Sequence, residues 1–140
     1  MNDIGQTTIE LLLVLGISMV ALAIIYALYA EQVNSANEIN NIFVAKSSVQ
    51  KIVTAANTVY LSGSGSEIKV EIEIPLAAVL SDSGIIGQTV FMSVAGNSEA
   101  IAVADVNIDG SFKTLPGKYV VYMVYDGNVV HTLYRDFELN

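Results

Sequence analysis

Residues 11–30 read Leu-Leu-Leu-Val-Leu-Gly-Ile-Ser-Met-Val-Ala-Leu-Ala-Ile-Ile-Tyr-Ala-Leu-Tyr-Ala, 20 residues without a charge, bounded by Glu10 and Glu31. As a helix rising about 1.5 Å per residue, this run spans about 30 Å, the thickness of a bilayer's hydrocarbon core. A buried core helix is a poor account of it, because residues 62–140 could hardly wrap a segment that is apolar on every face. A secretory signal peptide fits little better: such a peptide opens on basic residues and has a shorter apolar region, whereas Met1 to Gly5 contain no Lys or Arg. Two readings stay open on composition alone, a plain membrane anchor under a head domain and a segment that serves in both membrane and assembly. Loop charge cannot orient the span, since the first basic residue is Lys46.

Outward from this run toward the C-terminus, the pattern turns amphipathic. Val33, Ala36, Ile39, Ile42, Phe43, Val49, Ile52, Val53, Ala56, Val59 and Tyr60 recur at steps of three and four among Asn, Glu, Gln and Lys. That is helical periodicity. No Pro or Gly falls between Ser18 and Ser62, so a helix is predicted from about Thr7 to about Leu61, roughly 80 Å at the ideal rise. Leu61-Ser62-Gly63-Ser64-Gly65-Ser66 punctuates it and reads as a connector.

Glu67 to Ile74 then alternates strictly, with Ile68, Val70, Ile72 and Ile74 on one face and charges on the other, before Pro75. Further strands are predicted at residues 89–94, 100–103, 106–108, 119–125 and 129–134, with Asp126-Gly127 as a two-residue hairpin signal between the last two. The fold class is therefore α+β: a long N-terminal helix followed by a small antiparallel β-sandwich head. The domain boundaries expected are 1–5 as a leader, 6–61 as the helix (apolar over 11–30, amphipathic over 31–61) and 62–140 as the head. Pro116 to Tyr122 with the following hairpin resembles the late strands of an immunoglobulin-like domain, at the level of topology only.

Outward toward the N-terminus lies Gly5-Gln6-Thr7-Thr8-Ile9-Glu10, directly before the apolar run. This junction resembles the processing site of type IV prepilins, most of all the archaeal form with its class III signal peptide. Gly5 stands before the cut, Gln6 after it, Thr8 supplies a small hydroxyl residue and Glu10 is fifth in the mature chain. The leader departs from the family in one respect, carrying Asp3 and Ile4 where basic residues usually stand. The resemblance covers roughly the first 30 residues and implies cleavage between Gly5 and Gln6 on the cytoplasmic side. It further implies that Glu10 pairs with the freed amine of a neighbouring subunit. The partners implied are further copies of the chain in a helical filament, a prepilin peptidase with pilus assembly machinery, and the membrane before assembly. The location implied is the cell surface, in an extracellular filament. Gly16 and Ser18 are small enough to permit close helix approach in a bundle. The competing class is a monomeric membrane-anchored module whose extracytoplasmic head binds a ligand.

The rest of the sequence excludes more than it nominates. Across 140 residues, 14 Asp and Glu against 6 Lys and Arg give a formal charge of -8, which disfavours phosphate backbones and argues against nucleic-acid binding. There is no Cys, hence no disulfide, thiolate nucleophile or Cys-ligated metal. Asp105-x-Asn107-x-Asp109-Gly110 has the first half of an EF-hand calcium loop, but its twelfth position is Pro116 instead of a bidentate Glu, so a strand entering an Asp-Gly turn is the simpler reading. His131 falls in the last strand with no nucleophile motif beside it, and the acids are too scattered to form a general acid/base pair. No catalytic residue, cofactor or metal is therefore expected. Tyr119, Tyr122, Tyr125 and Tyr134 cluster late and suggest aromatic packing or a subunit contact.

Overall fold

A computed structural model describes residues 3–96, 98–113 and 115–134, with side chains from Thr7 onward. The element order is helix α1 (Asp3–Ser62), then strands β1 (Glu67–Ile74), β2 (Ala78–Ile86), β3 (Thr89–Val94), β4 (Ser98–Val103), β5 (Ile108–Asp109), β6 (Gly117–Tyr125) and β7 (Val130–Tyr134). This is the α+β arrangement expected, a long N-terminal helix followed by two sheets. The chain divides into two compact units, one ending at Asn37 and one beginning at Glu38.

The first unit is helical throughout its described residues. From Leu11 to Tyr29 every large apolar side chain is exposed, from 52% at Leu15 to 74% at Tyr26. This part of α1 is long and apolar enough to cross a membrane. Ser18 is compatible with that setting because its hydroxyl donates to the Val14 carbonyl at 2.7 Å, leaving no polar proton without a partner in lipid.

The second unit holds one apolar core, shared by α1 and two sheets ordered β1-β6-β7-β5 and β2-β3-β4. Ala45, Val49, Ile52, Ala56 and Val59 recur at four- and three-residue steps and form the buried face of α1. They meet Ile72 and Ile74 of β1, Val90, Met92 and Val94 of β3, and Val121 and Met123 of β6. Ile39 and Phe43, which share the three-and-four spacing, are exposed instead. Their helical phase puts them opposite the buried face, a distinction periodicity alone does not draw.

Two side chains of α1 fix how it sits. Ser48 is buried, and its hydroxyl donates to the Glu73 carbonyl at 2.7 Å while accepting from the Glu73 N–H at 2.9 Å. It thereby caps the outer edge of β1, an end strand whose backbone groups would otherwise lack a ladder. Asn57 accepts from the Asp105 N–H at 2.8 Å, just past the end of β4, itself an end strand. Nine residues are two and a half helical turns, so Ser48 and Asn57 look out from opposite flanks of α1. The helix therefore closes the gap between β1 and the segment after β4. Where β2 turns into β3 the two sheets are tied directly, the Ile108 N–H donating to the Gly87 carbonyl at 2.8 Å.

The strand predictions need three corrections. β2 was not expected, because Ser81-Asp82-Ser83-Gly84 interrupts its alternation; in the structure that stretch is a register shift between Val79 and Gly84. Ser83 makes it tolerable, its hydroxyl donating to the Val79 carbonyl and accepting from the Ser93 N–H. The strand expected at 106–108 shrinks to Ile108–Asp109 and runs parallel to β7, so the head is not purely antiparallel. Finally, the central residues of the β6–β7 hairpin are Gly127 and Asn128, one position later than read from Asp126-Gly127, because Asp126 N–H bonds the Val129 carbonyl at 3.2 Å. Gly127 carries the positive φ, 102°, that this first central position requires.

Candidate functional site

The residues nominated for processing and assembly lie at the start of α1. Gly5 and Gln6 fall within its helical backbone, while the Gln6 side chain lies outside the described residues. Glu10 is described and exposed, one position before the apolar run. A carboxylate there can stay at a headgroup boundary, whereas at a bilayer centre it would cost about 2.5–3.5 kcal/mol on insertion scales. Gly16 has open space where a Cβ would stand, so nothing within its own chain demands glycine.

The half calcium loop does not assemble. Asp109 turns its carboxylate to His131, Asn107 uses its backbone carbonyl to accept from the Val130 N–H, and the Asp105 N–H is held by Asn57. Gly110 is needed for a different reason: a Cβ there would collide with the Thr132 side chain. Among the described residues no three Asp, Glu or His side chains converge as a metal-ion site.

The polar cluster that does form was missed by sequence reasoning. His131 Nε2 lies 3.1 Å from Asp126 Oδ2, and His131 Nδ1 lies 3.3 Å from Asp109 Oδ2. A neutral imidazole has one N–H and one lone pair, so only the imidazolium satisfies both carboxylates. The Asp126 carboxylate also accepts from the N–H groups of Val129 and Asn128, both at 2.8 Å. Those backbone bonds, with the imidazole, hold its pKa down at about 2. The His131 pKa is raised, chiefly by its hydrogen bond to Asp126. Because the folded pKa lies above the unfolded one, the contribution of His131 to stability is complete below about pH 6.5 and fades as pH rises through the folded value. Asp126 adds the opposite limit, its contribution fading as pH falls below about 4 toward 2. The stability lost in His131→Asn should therefore be greatest near about pH 5–6 and shrink on the alkaline side. Thermal unfolding of both chains across pH checks this, and a difference that grows with pH would contradict the pairing of His131 with Asp126 and Asp109.

Open grooves line α1 among the described residues, and two of them lie beside β1. One, of about 440 Å³, has Ser47, Thr54 and Thr58 of α1 facing Ile68 and Val70 of β1; the other, of about 370 Å³, is lined by Lys51, Glu71, Glu73, Lys118 and Tyr119. His131 lines neither. Three of the four late tyrosines pack as rings, Tyr125 edge-on to Tyr60 of α1 at 5.4 Å and Tyr119 edge-on to Tyr134 at 6.1 Å. Burial raises the Tyr134 pKa to about 12, so its hydroxyl stays protonated. No protein-family model, curated protein or solved structure matches this chain.

Proposed function

We propose that this chain is a membrane-held structural subunit, stored in the bilayer through α1 and assembled into a filament through the same helix. In particular, it acts as a type IV pilin-like subunit of an extracellular filament. The observation carrying this reading is the direct abutment of the Gly5-Gln6-Thr7-Thr8-Ile9-Glu10 junction on a 20-residue run exposed on every face. In water that surface is too large to leave bare, since each fully buried Leu or Ile is worth about 1.5–3 kcal/mol. It needs lipid before assembly and copies of itself afterwards.

The test is the state of the N-terminus in assembled material. Filaments sheared from cells should contain a chain that begins at Gln6, and replacing Gly5 with Leu should trap the full-length precursor in the membrane. Electron microscopy and intact-mass measurement read the two outcomes. Filaments built from chains that keep Met1 would remove the processing step, and a membrane-bound monomer with no filament would favour the anchored binding module.

A further inference from the structure

The second unit leaves two unlike faces uncovered. The first is the outward side of α1. From Ile39 to Ser66 the chain has no Asp or Glu, and its charged residues there are Lys46 and Lys51, both exposed. Ile39 (68%), Phe43 (70%) and Leu61 (82%) are exposed along it, with Gln50, Thr54 and Thr58 between. Five residues are 500° of helix, so Lys46 and Lys51 stand 140° apart and flank this strip on its two sides.

The second is the outer face of the sheet β2-β3-β4. The inward set there is Val90, Met92 and Val94 of β3 with Ala100 of β4, all buried. The alternation turns Thr89, Phe91, Glu99, Ile101 and Val103 outward. Phe91 pairs across the ladder with Ile101 and Gly84, and Thr89 with Val103 and Ile86. Ile101 (58%), Val103 (61%) and Ile86 (70%) are exposed together there. On β4 and just beyond, the acids Glu99 and Asp105, both exposed, bracket Ile101 and Val103.

We infer that these two faces are partners between copies: the lysine-flanked strip of α1 in one subunit docks on the acid-bracketed sheet face of the next. Three observations carry it. Each face carries exposed apolar side chains, Ile39, Phe43 and Leu61 on the strip and Ile86, Ile101 and Val103 on the sheet. Lys46 and Lys51 on the strip are opposite in sign to Glu99 and Asp105 on the sheet face, on a chain whose net charge of -8 would make most contacts between identical copies repulsive. Their widths agree, since two interstrand spacings are about 10 Å and a helix with its side chains is about 10–12 Å across. Because the two faces differ, the contact is heterologous, the kind that generates open helical arrays wherever its rotation does not close into a ring. This inference deepens the filament reading and rests on it for the contact's role, but not for its existence.

The absence of native cysteine makes the test direct. Two full-length chains, Phe43→Cys and Ile101→Cys, are treated in the membrane and in filaments with a short thiol-specific bismaleimide. The mixture should give cross-linked dimers at least about tenfold above either chain alone. Equal dimer from Phe43→Cys alone would instead mean helix-on-helix packing and would overturn the pairing, as would no dimer in the mixture. In parallel, Lys46→Glu with Lys51→Glu should cut the mixed cross-link about tenfold, and adding Glu99→Lys and Asp105→Lys should restore it. All four positions are exposed, so unchanged thermal unfolding serves as the folding control. Failure of the four-residue exchange to restore the cross-link counts against the pairing. If the wild-type chain forms no filament while the mixed cross-link persists, the filament reading fails and the pairing stands.

Discussion

A Glu10→Gln chain is expected to be processed and inserted like the wild type and to yield few or no filaments. The amide is isosteric and polar, so a carboxylate that only marks the headgroup boundary should be replaceable at little cost. If Glu10 instead pairs with the amine freed at Gln6 of a neighbour, the substitution leaves that amine buried among apolar helices with no counter-charge. Loss of one partner from a buried pair costs about 3–5 kcal/mol, a factor of more than about 100 for each subunit added. The measurement is the ratio of processed subunit in the membrane to subunit in sheared filaments. A ratio equal to the wild type's would return Glu10 to a boundary marker.

The second large effect is expected in the core, at the buried face of α1. Ile52 is 1% exposed and contributes to the single core of the second unit, so Ile52→Ala should cost about 2–5 kcal/mol through lost burial and the cavity left behind. Ser48→Ala is smaller in volume but comparable in kind. It removes both a donor and an acceptor from Glu73, leaving part-buried backbone groups to find water, at about 1–3 kcal/mol. Thr54→Ala, on the exposed side of the same helix, should stay within about 0.5 kcal/mol. Denaturant midpoints of the three chains rank them, and a Thr54→Ala chain as weak as Ile52→Ala would mean that the wrong face of α1 has been assigned to the core.

These expectations draw on different levels of the molecule. The apolar run of residues 11–30, the helix that continues past it and β1 were legible in the sequence, because each depends on a local period that one stretch of chain displays by itself. Glu67 to Ile74 appears as a strand with the limits its alternation implies. β2 was illegible for the converse reason. Its alternation is broken by a bulge, and Ser83 bridges Val79 to Ser93, a residue on another strand, so the compensation is invisible in the local pattern.

The same limit governs the candidate sites. The cleavage-type junction and Glu10 could be nominated from a contiguous motif, whereas the cluster of Asp109, Asp126 and His131 joins two strands and a turn that only the sheet brings together. Periodicity marked Ile39 and Phe43 as apolar members of a helix, but which apolar residues of α1 would be covered depended on where the sheets lie. What the sequence determined alone was local: which segments are helix, which alternate, and where apolar surface is concentrated. The tertiary structure decided which of that surface is covered and which is left facing out, because burial is a property of the neighbours a residue meets and not of the residue itself.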